Sequence, residues 1–180
     1  MSRLLLLLLF TLFLFSCSLN KNIVNNNLNI LPEIEQKYPI FYFGYGSNMN
    51  INRMNNRCKD GNFIDLGKVV LNNYEFYFYD RGYANVRYSN YKDVEGVLYK
   101  INKECLSKLD IAEGYPDIYQ REEVFLDYKN KTIKSQIYLV NNDYSVGIPN
   151  DYYYNIVKEG AEDHFLSEEY IKYIDLMASR

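Results

Sequence analysis

The fold is organised around the stretch FYFGYGSNM, residues 41–49. Its aromatic and apolar first half is typical of a buried strand, and the glycines and polar residues that follow indicate a turn. Glycine lacks a Cβ atom, so backbone N–H groups in such a turn can come close to a ligand. The pattern predicts a strand ending in a cradle for a small anion or an oxyanion. An ordinary tight strand–helix turn is the alternative.

A short helix is predicted directly after this turn, from Asn50 to Arg57, with its N-terminus aimed at the same place. The middle of the chain is predicted to be mostly strands, with short helices towards the end. Strands are expected over residues 68–71, 74–79, 84–88, 94–101, 119–128 and 132–140. Two further helices are expected, one opened by Pro149-Asn150-Asp151 and a last one capped by Ser167.

A helix is also predicted over residues 103–113, with Asn102 as its N-cap and Gly114 at its C-terminal end. Leu106, Leu109 and Glu113 are spaced i, i+3, i+7 and therefore share the face that should pack inward. A carboxylate at the end of an apolar stripe, near the negative end of the helix dipole, suits general acid–base chemistry. The alternative is a glutamate that turns outward into solvent.

The N-terminal region differs in composition from the rest of the chain. Residues 4–15 are apolar apart from Thr11, a run of twelve that suits the core of a signal peptide and is short for a membrane span. The following Phe-Ser-Cys resembles a bacterial lipobox, in which Cys17 would become the lipidated N-terminus. An ordinary signal peptide with an incidental cysteine, or an uncleaved anchor, remains open. Residues 18–37 are rich in asparagine and predict a tether.

We therefore divide the chain into a signal peptide over residues 1–16, a lipidated cysteine with its tether over 17–37 and a single domain over 38–180. The formal net charge of −3, without a basic patch, argues against nucleic-acid binding. There is one histidine, His164, and no cluster with metal-ligand spacing, so no metal is expected. In an exported protein Cys58 and Cys105 could form a disulfide, but the sequence favours two free buried thiols.

Other catalytic groups have little support. Ser47 as a nucleophile would need a base, and no acidic partner for His164 can be argued from the sequence. Cys58 lacks the helix start or neighbouring histidine that would activate a thiol. The pairs Asp80-Arg81 and Glu122-Glu123 are interpreted as solvated charges of turns and strands.

Several stretches together resemble the γ-glutamylcyclotransferase-like (AIG2-like) family, in the family's order and spacing, and cover about residues 40–175. They are YGSNM at 45–49, GYANV at 82–86, GVLY at 96–99, LDIAEGY at 109–115, and the segment from Tyr153 to Ala161. No single motif is decisive, and the ordered set carries the resemblance. It implies an α+β fold, with a curved or barrel-like mixed sheet and helices packed against it.

The resemblance also implies roles for particular residues. The loop from Gly44 to Met49 would hold the γ-glutamyl group, and Glu113 matches the catalytic glutamate. The segment between Glu113 and Tyr119 is one residue shorter than in vertebrate enzymes of the family, which affects the match at Tyr119. The residues implied to bind substrate are Tyr45, Gly46, Ser47, Asn48, Met49, Tyr119, Tyr138 and Tyr153.

The activity implied is cyclisation of the γ-glutamyl group of an amino acid, peptide or amine to 5-oxoproline, with release of the free amine and without a cofactor. The alternative is a lipid-anchored protein that binds a γ-glutamyl-like molecule with little turnover. Expected partners are a small γ-glutamyl substrate and, through the N-terminal lipid, a membrane of the cell envelope. The signal and tether depart from the best-known family members, which are cytosolic.

Overall fold

The computed structural model describes residues 32–59, 61–140 and 145–179. Tyr38 to Arg180 form one compact unit. Of the unit before it, residues 32–37 are described and are helical. The signal peptide, Cys17 and the rest of the tether lie outside the described residues. In the part that is described, no helix is long and apolar enough to cross a membrane.

The main unit alternates strands and helices, as the sequence patterns indicate. In chain order the described elements are β1 (Ile40–Gly44), a 3₁₀ turn (Ser47–Met49), α1 (Ile51–Cys58), β2 (Phe63–Leu71), β3 (Tyr74–Phe78), β4 (Ala84–Tyr88), β5 (Val94–Ile101), α2 (Lys103–Glu113), β6 (Gln120–Tyr128), β7 (Lys131–Leu139), α3 (Asp151–Asp163) and α4 (Glu168–Ala178).

The principal sheet has the strand order β2-β5-β1-β7-β6, so β1 lies at its centre. All neighbouring pairs are antiparallel except β1 and β7, which run parallel. The outer strands β2 and β6 come into contact without pairing, so the sheet is curled but not closed. Strands β3 and β4 form a separate hairpin. The predicted α+β fold with a curved mixed sheet is confirmed.

Strand β2 begins five residues earlier than the sequence pattern suggests. Its pairing with β5 shifts register between Asp65 and Lys68, and Gly67 there has a φ of 85°, which favours glycine. This bulge interrupts the alternation of apolar and polar residues. The first half of the strand therefore has no clear period in the sequence, although it is paired in the structure.

Helix α2 has the ends that the sequence predicts. The Asn102 side chain accepts a hydrogen bond from the Cys105 N–H at 2.9 Å, and Gly114 closes the helix in the left-handed conformation. Leu109 is completely buried, whereas Glu113 keeps 15% of its side chain exposed. The inward face therefore carries the carboxylate to the edge of the core.

Helix α3 packs closely against the turn that follows β1. A Cβ atom at Gly160 would lie 2.5 Å from the Asn50 backbone nitrogen and 2.8 Å from the Met49 Cβ. Only glycine allows this distance, because real Cβ atoms do not come so close to other heavy atoms. Helix α3 therefore braces the turn by backbone contact at Gly160.

Cys58 and Cys105 form a disulfide in the structure. The expectation of two free thiols is therefore wrong. The reason is tertiary: Cys58 is the last residue of α1, Cys105 lies in the first turn of α2, and these helices pack side by side. A free nucleophilic thiol at Cys58 is excluded by the same bond.

His164 has an acidic partner that the sequence did not reveal. His164 follows the last residue of α3. Its Nε2 lies 2.7 Å from Oδ2 of Asp65, and its Nδ1 lies 2.8 Å from the Gly160 carbonyl oxygen. The hydrogen bond with Asp65 raises the pKa of His164 despite partial burial. Burial by itself would raise the pKa of Asp65, but hydrogen bonds from His164 and the Gly67 N–H lower it overall.

The contribution of this pair to stability is expected to be largest on the acid side of neutrality. A raised histidine pKa stabilises the fold fully below about pH 6.5, the unfolded value, and the contribution is lost as pH rises through the folded pKa. A lowered aspartate pKa stabilises above about pH 4 and is lost as pH falls through the folded pKa. We expect Asp65→Asn to lower the free energy of unfolding by about 1 kcal/mol between these limits, and by less once the pH has risen through the folded pKa of His164. Urea unfolding at several pH values measures the difference.

Glu162→Gln, at an exposed position of the same helix α3, is the control for the loss of one surface carboxylate. A constant difference between wild type and Asp65→Asn from pH 4 to pH 9 would contradict the assignment of the effect to His164.

Candidate active site

The turn after β1 is shaped by close contacts at Gly46. A Cβ atom there would lie 2.8 Å from the Ala84 Cβ and 3.3 Å from the Tyr153 hydroxyl. The chain then forms the 3₁₀ turn Ser47–Met49, and Asn50 caps α1 by accepting a hydrogen bond from the Arg53 N–H at 3.1 Å. Glycine is therefore required because β4 and α3 lie directly against the turn.

Glu113 lies opposite this turn at the last residue of α2. Its Oε1 accepts a hydrogen bond from Nδ2 of Asn48 at 3.0 Å and another from the guanidinium of Arg57. Nη1 of Arg57 also donates to Oδ1 of Asn48 at 2.5 Å. The side chains of Arg57 and Glu113 are each only 15% exposed, so the three residues form a connected polar group that is largely screened from water.

Arg57 was not identified as a site residue from the sequence. It lies in the last turn of α1, a helix of only two turns that starts at the same loop. Its guanidinium lies against the Glu113 carboxylate and the Asn48 side chain at once. Helix α1 thus contributes to the site mainly through a side chain near its C-terminal end, rather than through its N-terminus as the sequence predicted.

Buried tyrosines form the walls of the site. The Tyr42 hydroxyl accepts a hydrogen bond from Asn48 at 2.6 Å, and the Tyr45 hydroxyl donates to the Tyr138 carbonyl at 2.6 Å. The Tyr119 hydroxyl donates to the Ala84 carbonyl at 2.8 Å, and the Tyr153 hydroxyl accepts from the Ala84 N–H at 3.2 Å.

These phenols stay neutral at physiological pH. Burial, reinforced by the negative charge of Glu113, raises the pKa of Tyr42, Tyr45 and Tyr119. Burial likewise raises the pKa of Tyr153, against the effect of its hydrogen bond with the Ala84 N–H. The walls can therefore offer hydroxyl groups to a substrate without adding negative charge beside the carboxylate.

A second polar network fixes Tyr138 from behind. Its hydroxyl donates to Oδ1 of Asp110 at 2.6 Å, and Nη1 of Arg121 lies 2.9 Å from Oδ1 and 2.8 Å from Oδ2 of the same carboxylate. The hydrogen bond to Asp110 adds to burial in raising the pKa of Tyr138. Asp110 and Glu113 are spaced i, i+3 on α2, and this spacing of two carboxylates is the signal that could have identified Asp110.

Most of the predicted site residues line a single pocket. Its free volume is about 30 Å³, so an entering substrate must exchange contacts with Glu113 and its neighbours. Met49 differs from the prediction, because it is completely buried in the core and does not line this pocket. The lining residues are Tyr42, Tyr45, Gly46, Ser47, Asn48, Ala84, Glu113, Tyr119, Tyr138 and Tyr153.

Ser47 and His164 do not form a catalytic pair. Ser47 lines the pocket, whereas His164 does not, and both ring nitrogens of His164 are engaged with Asp65 and Gly160. Among the described residues, no group of three or more His, Cys, Asp or Glu side chains could hold a metal ion. The chemistry that the pocket offers is proton transfer by one carboxylate, with amide, guanidinium and phenol groups around it.

Comparisons with known proteins agree with this arrangement. The family model described as "Gamma-glutamyl cyclotransferase, AIG2-like" matches residues 42–160. The human protein named gamma-glutamylcyclotransferase is 30% identical over 139 residues, which are 72% of this chain and 73% of the human protein. The Drosophila melanogaster protein CG2811 is 46% identical over 50 residues, 27% of this chain and about a third (32%) of the fly protein.

A solved structure titled "Gamma-glutamyl cyclotransferase" superposes with a TM-score of 0.69 at 27% identity, covering 76% of this chain and 86% of that one. The chain belongs to the γ-glutamyl cyclotransferase, AIG2-like family. The features on which this assignment depends are the curled mixed sheet and the pocket in which Glu113 faces a glycine-containing turn.

Proposed function

We propose that this protein is an enzyme that cyclises the γ-glutamyl group of a γ-glutamyl amino acid, peptide or amine to 5-oxoproline and releases the free amine. The observation that carries the proposal is the position of Glu113, whose carboxylate is hydrogen-bonded to Asn48 and faces the Gly46–Asn48 turn within one pocket. A protein that only binds a ligand has no need of a screened carboxylate at this point.

In the proposed reaction the α-ammonium of the γ-glutamyl group loses a proton to Glu113, and the free amine attacks the γ-carbonyl carbon. A bond forms between the α-nitrogen and this carbon, which closes a five-membered ring. The bond from the carbon to the leaving nitrogen then breaks, Glu113 returns its proton to that nitrogen, and the ring nitrogen releases its second proton to solvent. Proton transfer by a positioned group contributes typically about 10²–10⁴ to a rate.

The nucleophile belongs to the substrate itself, so the protein has to bend the glutamyl chain until the α-nitrogen meets the γ-carbonyl. Because the reaction is already intramolecular, only the part of this effect that comes from fixing the bent chain is available, and orientation can supply several kcal/mol of barrier reduction. The rigid tyrosine walls suit this task, because their hydroxyls are held by backbone partners. The turn at residues 46–48 is the candidate for holding the α-carboxylate or the developing oxyanion.

Arg57 is proposed to position the catalytic carboxylate. It contacts both Glu113 and Asn48, and so it holds the Glu113 side chain in place before the substrate arrives. When the α-ammonium enters the pocket, its positive charge can replace part of this contact. The small free volume of the pocket agrees with such an exchange.

The test is a panel of γ-glutamyl compounds incubated with the purified domain, with 5-oxoproline as the measured product. The panel should contain γ-glutamyl amino acids, a γ-glutamyl dipeptide, a γ-glutamyl alkylamine and a γ-glutamyl group on a lysine side chain. We expect release from at least one member, with an equal amount of free amine. Saturable binding without product from any member would instead favour the binding protein.

The proposal places the enzyme in the cell envelope, anchored through a lipid on Cys17. Its support is the lipobox-like sequence at residues 14–17 and the Cys58–Cys105 disulfide, since disulfides persist mainly in oxidising, exported compartments. We expect Cys17→Ala to move the full-length protein from the membrane fraction to the soluble fraction, as measured by fractionation and immunoblotting. Ser18→Ala is the control. A Cys17→Ala protein that stays with the membrane would contradict lipidation.

A further inference from the structure

A second cavity of about 250 Å³ adjoins the catalytic pocket. The two share Ser47, Glu113, Tyr119 and Tyr153 as lining residues, so the carboxylate lies on the boundary between them. If the γ-glutamyl group occupies the tyrosine-walled pocket, then the group attached to its γ-carbonyl extends into this larger outer cavity. The outer cavity is therefore the place where the leaving amine would be recognised, and this inference rests on the proposed function.

The outer cavity has a strongly positive lining in a protein whose formal charge is −3. Among the residues that the structure describes, Arg53, Arg57 and Arg81 line it, and Glu113 is the only acidic residue that does so. Arg57 is engaged by Glu113 and Asn48. The excess charge thus comes from Arg53 and Arg81.

These two arginines have capacity for another partner. The Nε of Arg53 is buried and has no hydrogen-bond partner within the described part of the protein. Arg81 lies exposed in the turn before β4, and the described residues offer it no ion pair or hydrogen bond. A buried guanidinium donor without an acceptor is costly, and a carboxylate is its natural partner because the two match in geometry as well as charge.

We infer that Arg53 and Arg81 recognise a carboxylate on the leaving group, so that the enzyme selects γ-glutamyl amino acids and peptides over γ-glutamyl derivatives of neutral or cationic amines. The lining of the outer cavity explains both the preference for a carboxylate and the discrimination against neutral and cationic amines. A carboxylate gains charge-assisted hydrogen bonds in the outer cavity, whereas an alkylamine leaves Arg53 unpaired and a lysine-type amine is repelled by the arginines.

The sharpest test compares γ-glutamylalanine with γ-glutamylalaninamide, which differ only in the terminal carboxylate. Both keep the α-carboxylate of the glutamyl group, so recognition of that group cancels from the comparison. We expect kcat/KM to be about 10–100-fold higher for the acid, as one or two charge-assisted hydrogen bonds would give. In the Arg53→Gln/Arg81→Gln double variant this ratio should fall towards one.

Arg87→Gln is the matched control, because Arg87 is an exposed arginine of β4 that pairs with Glu75 and does not line the outer cavity. It should keep the wild-type ratio. Thermal unfolding of each variant establishes that the fold is retained. Calorimetric binding of the same two compounds to Glu113→Gln supplies the same comparison without turnover.

The outcomes separate the two proposals. Turnover of both compounds with a ratio near one in the wild type, or an unchanged ratio in the double variant, would overturn the carboxylate assignment and leave the cyclisation intact. Absence of 5-oxoproline from both compounds and from the rest of the panel would overturn the proposed reaction. A tighter calorimetric affinity for the acid that disappears in the double variant would still support the arginine site.

Discussion

Glu113→Gln is expected to lower the rate of 5-oxoproline release by about 10²–10⁴, the usual contribution of a positioned acid–base group. Glutamine has the same shape and can still accept the hydrogen bond from Asn48, but it cannot take a proton from the α-ammonium. It also leaves Arg57 without its ion-pair partner. The effect should fall mainly on kcat, because the glutamyl group is held chiefly by the turn and the tyrosines. Steady-state kinetics with a responsive panel substrate measures it.

The control for this substitution is Glu104→Gln on the same helix. Glu104 is in the first turn of α2 and forms a surface ion pair with Lys108. Neither of these residues lines the pocket. Its rate should equal that of the wild type. Equal rates for Glu113→Gln and wild type, with both proteins folded by circular dichroism, would rule out the proposed acid–base role.

The second large effect is expected from the disulfide. Cys58 and Cys105 are separated by 47 residues in sequence, and closing a loop of that size in the unfolded chain corresponds to about 4 kcal/mol of stability in the chain-entropy model. We expect the Cys58→Ser/Cys105→Ser double variant to lose about 2–5 kcal/mol in urea unfolding. Each serine also places a hydroxyl group where the cysteine is completely buried, which adds to the loss of stability.

Activity should decrease along with stability, because the disulfide ties the end of α1 to the start of α2. The residue before Cys58 is Arg57, so loosening of this helix end frees the guanidinium that positions Glu113. An independent comparison measures the stability and activity of the wild type with and without a reductant. The reductant should lower both in the wild type and leave both unchanged in the double variant. Unfolding curves that coincide for all of these samples would show that the bond contributes no stability.

Local features of the site could be predicted from the sequence. The turn at residues 44–49, the helix ending at Glu113 and the caps at Asn102 and Gly114 depend on residues close together in the chain. Helix periodicity and glycine chemistry act over such short distances. The inward position of Glu113 follows from the period of its own helix, and that part of the prediction is confirmed by its low exposure.

The partners of these residues could not be predicted in the same way. Arg57 and Glu113 are 56 residues apart in sequence, and Asp65 and His164 are 99 apart. Neither arginine nor aspartate carries a local signal of which distant side chain it will meet. The sequence favoured free thiols for a comparable reason, since nothing near Cys58 indicates that α1 and α2 pack side by side.

The sequence by itself determined most of the strands, the helix ends, the glycine-containing turn and the inward position of Glu113, because these follow from periodicity and backbone chemistry within a few residues. The tertiary structure alone decided that Met49 enters the core, that Arg57 holds Glu113, and that the cysteines are joined. It also brought Arg53 and Arg81 to one cavity, from a helix and a turn that lie in different parts of the chain. The two arginines come together because the sheet curls and the helices pack across it. That packing depends on many weak contacts between distant residues, which no local sequence pattern encodes.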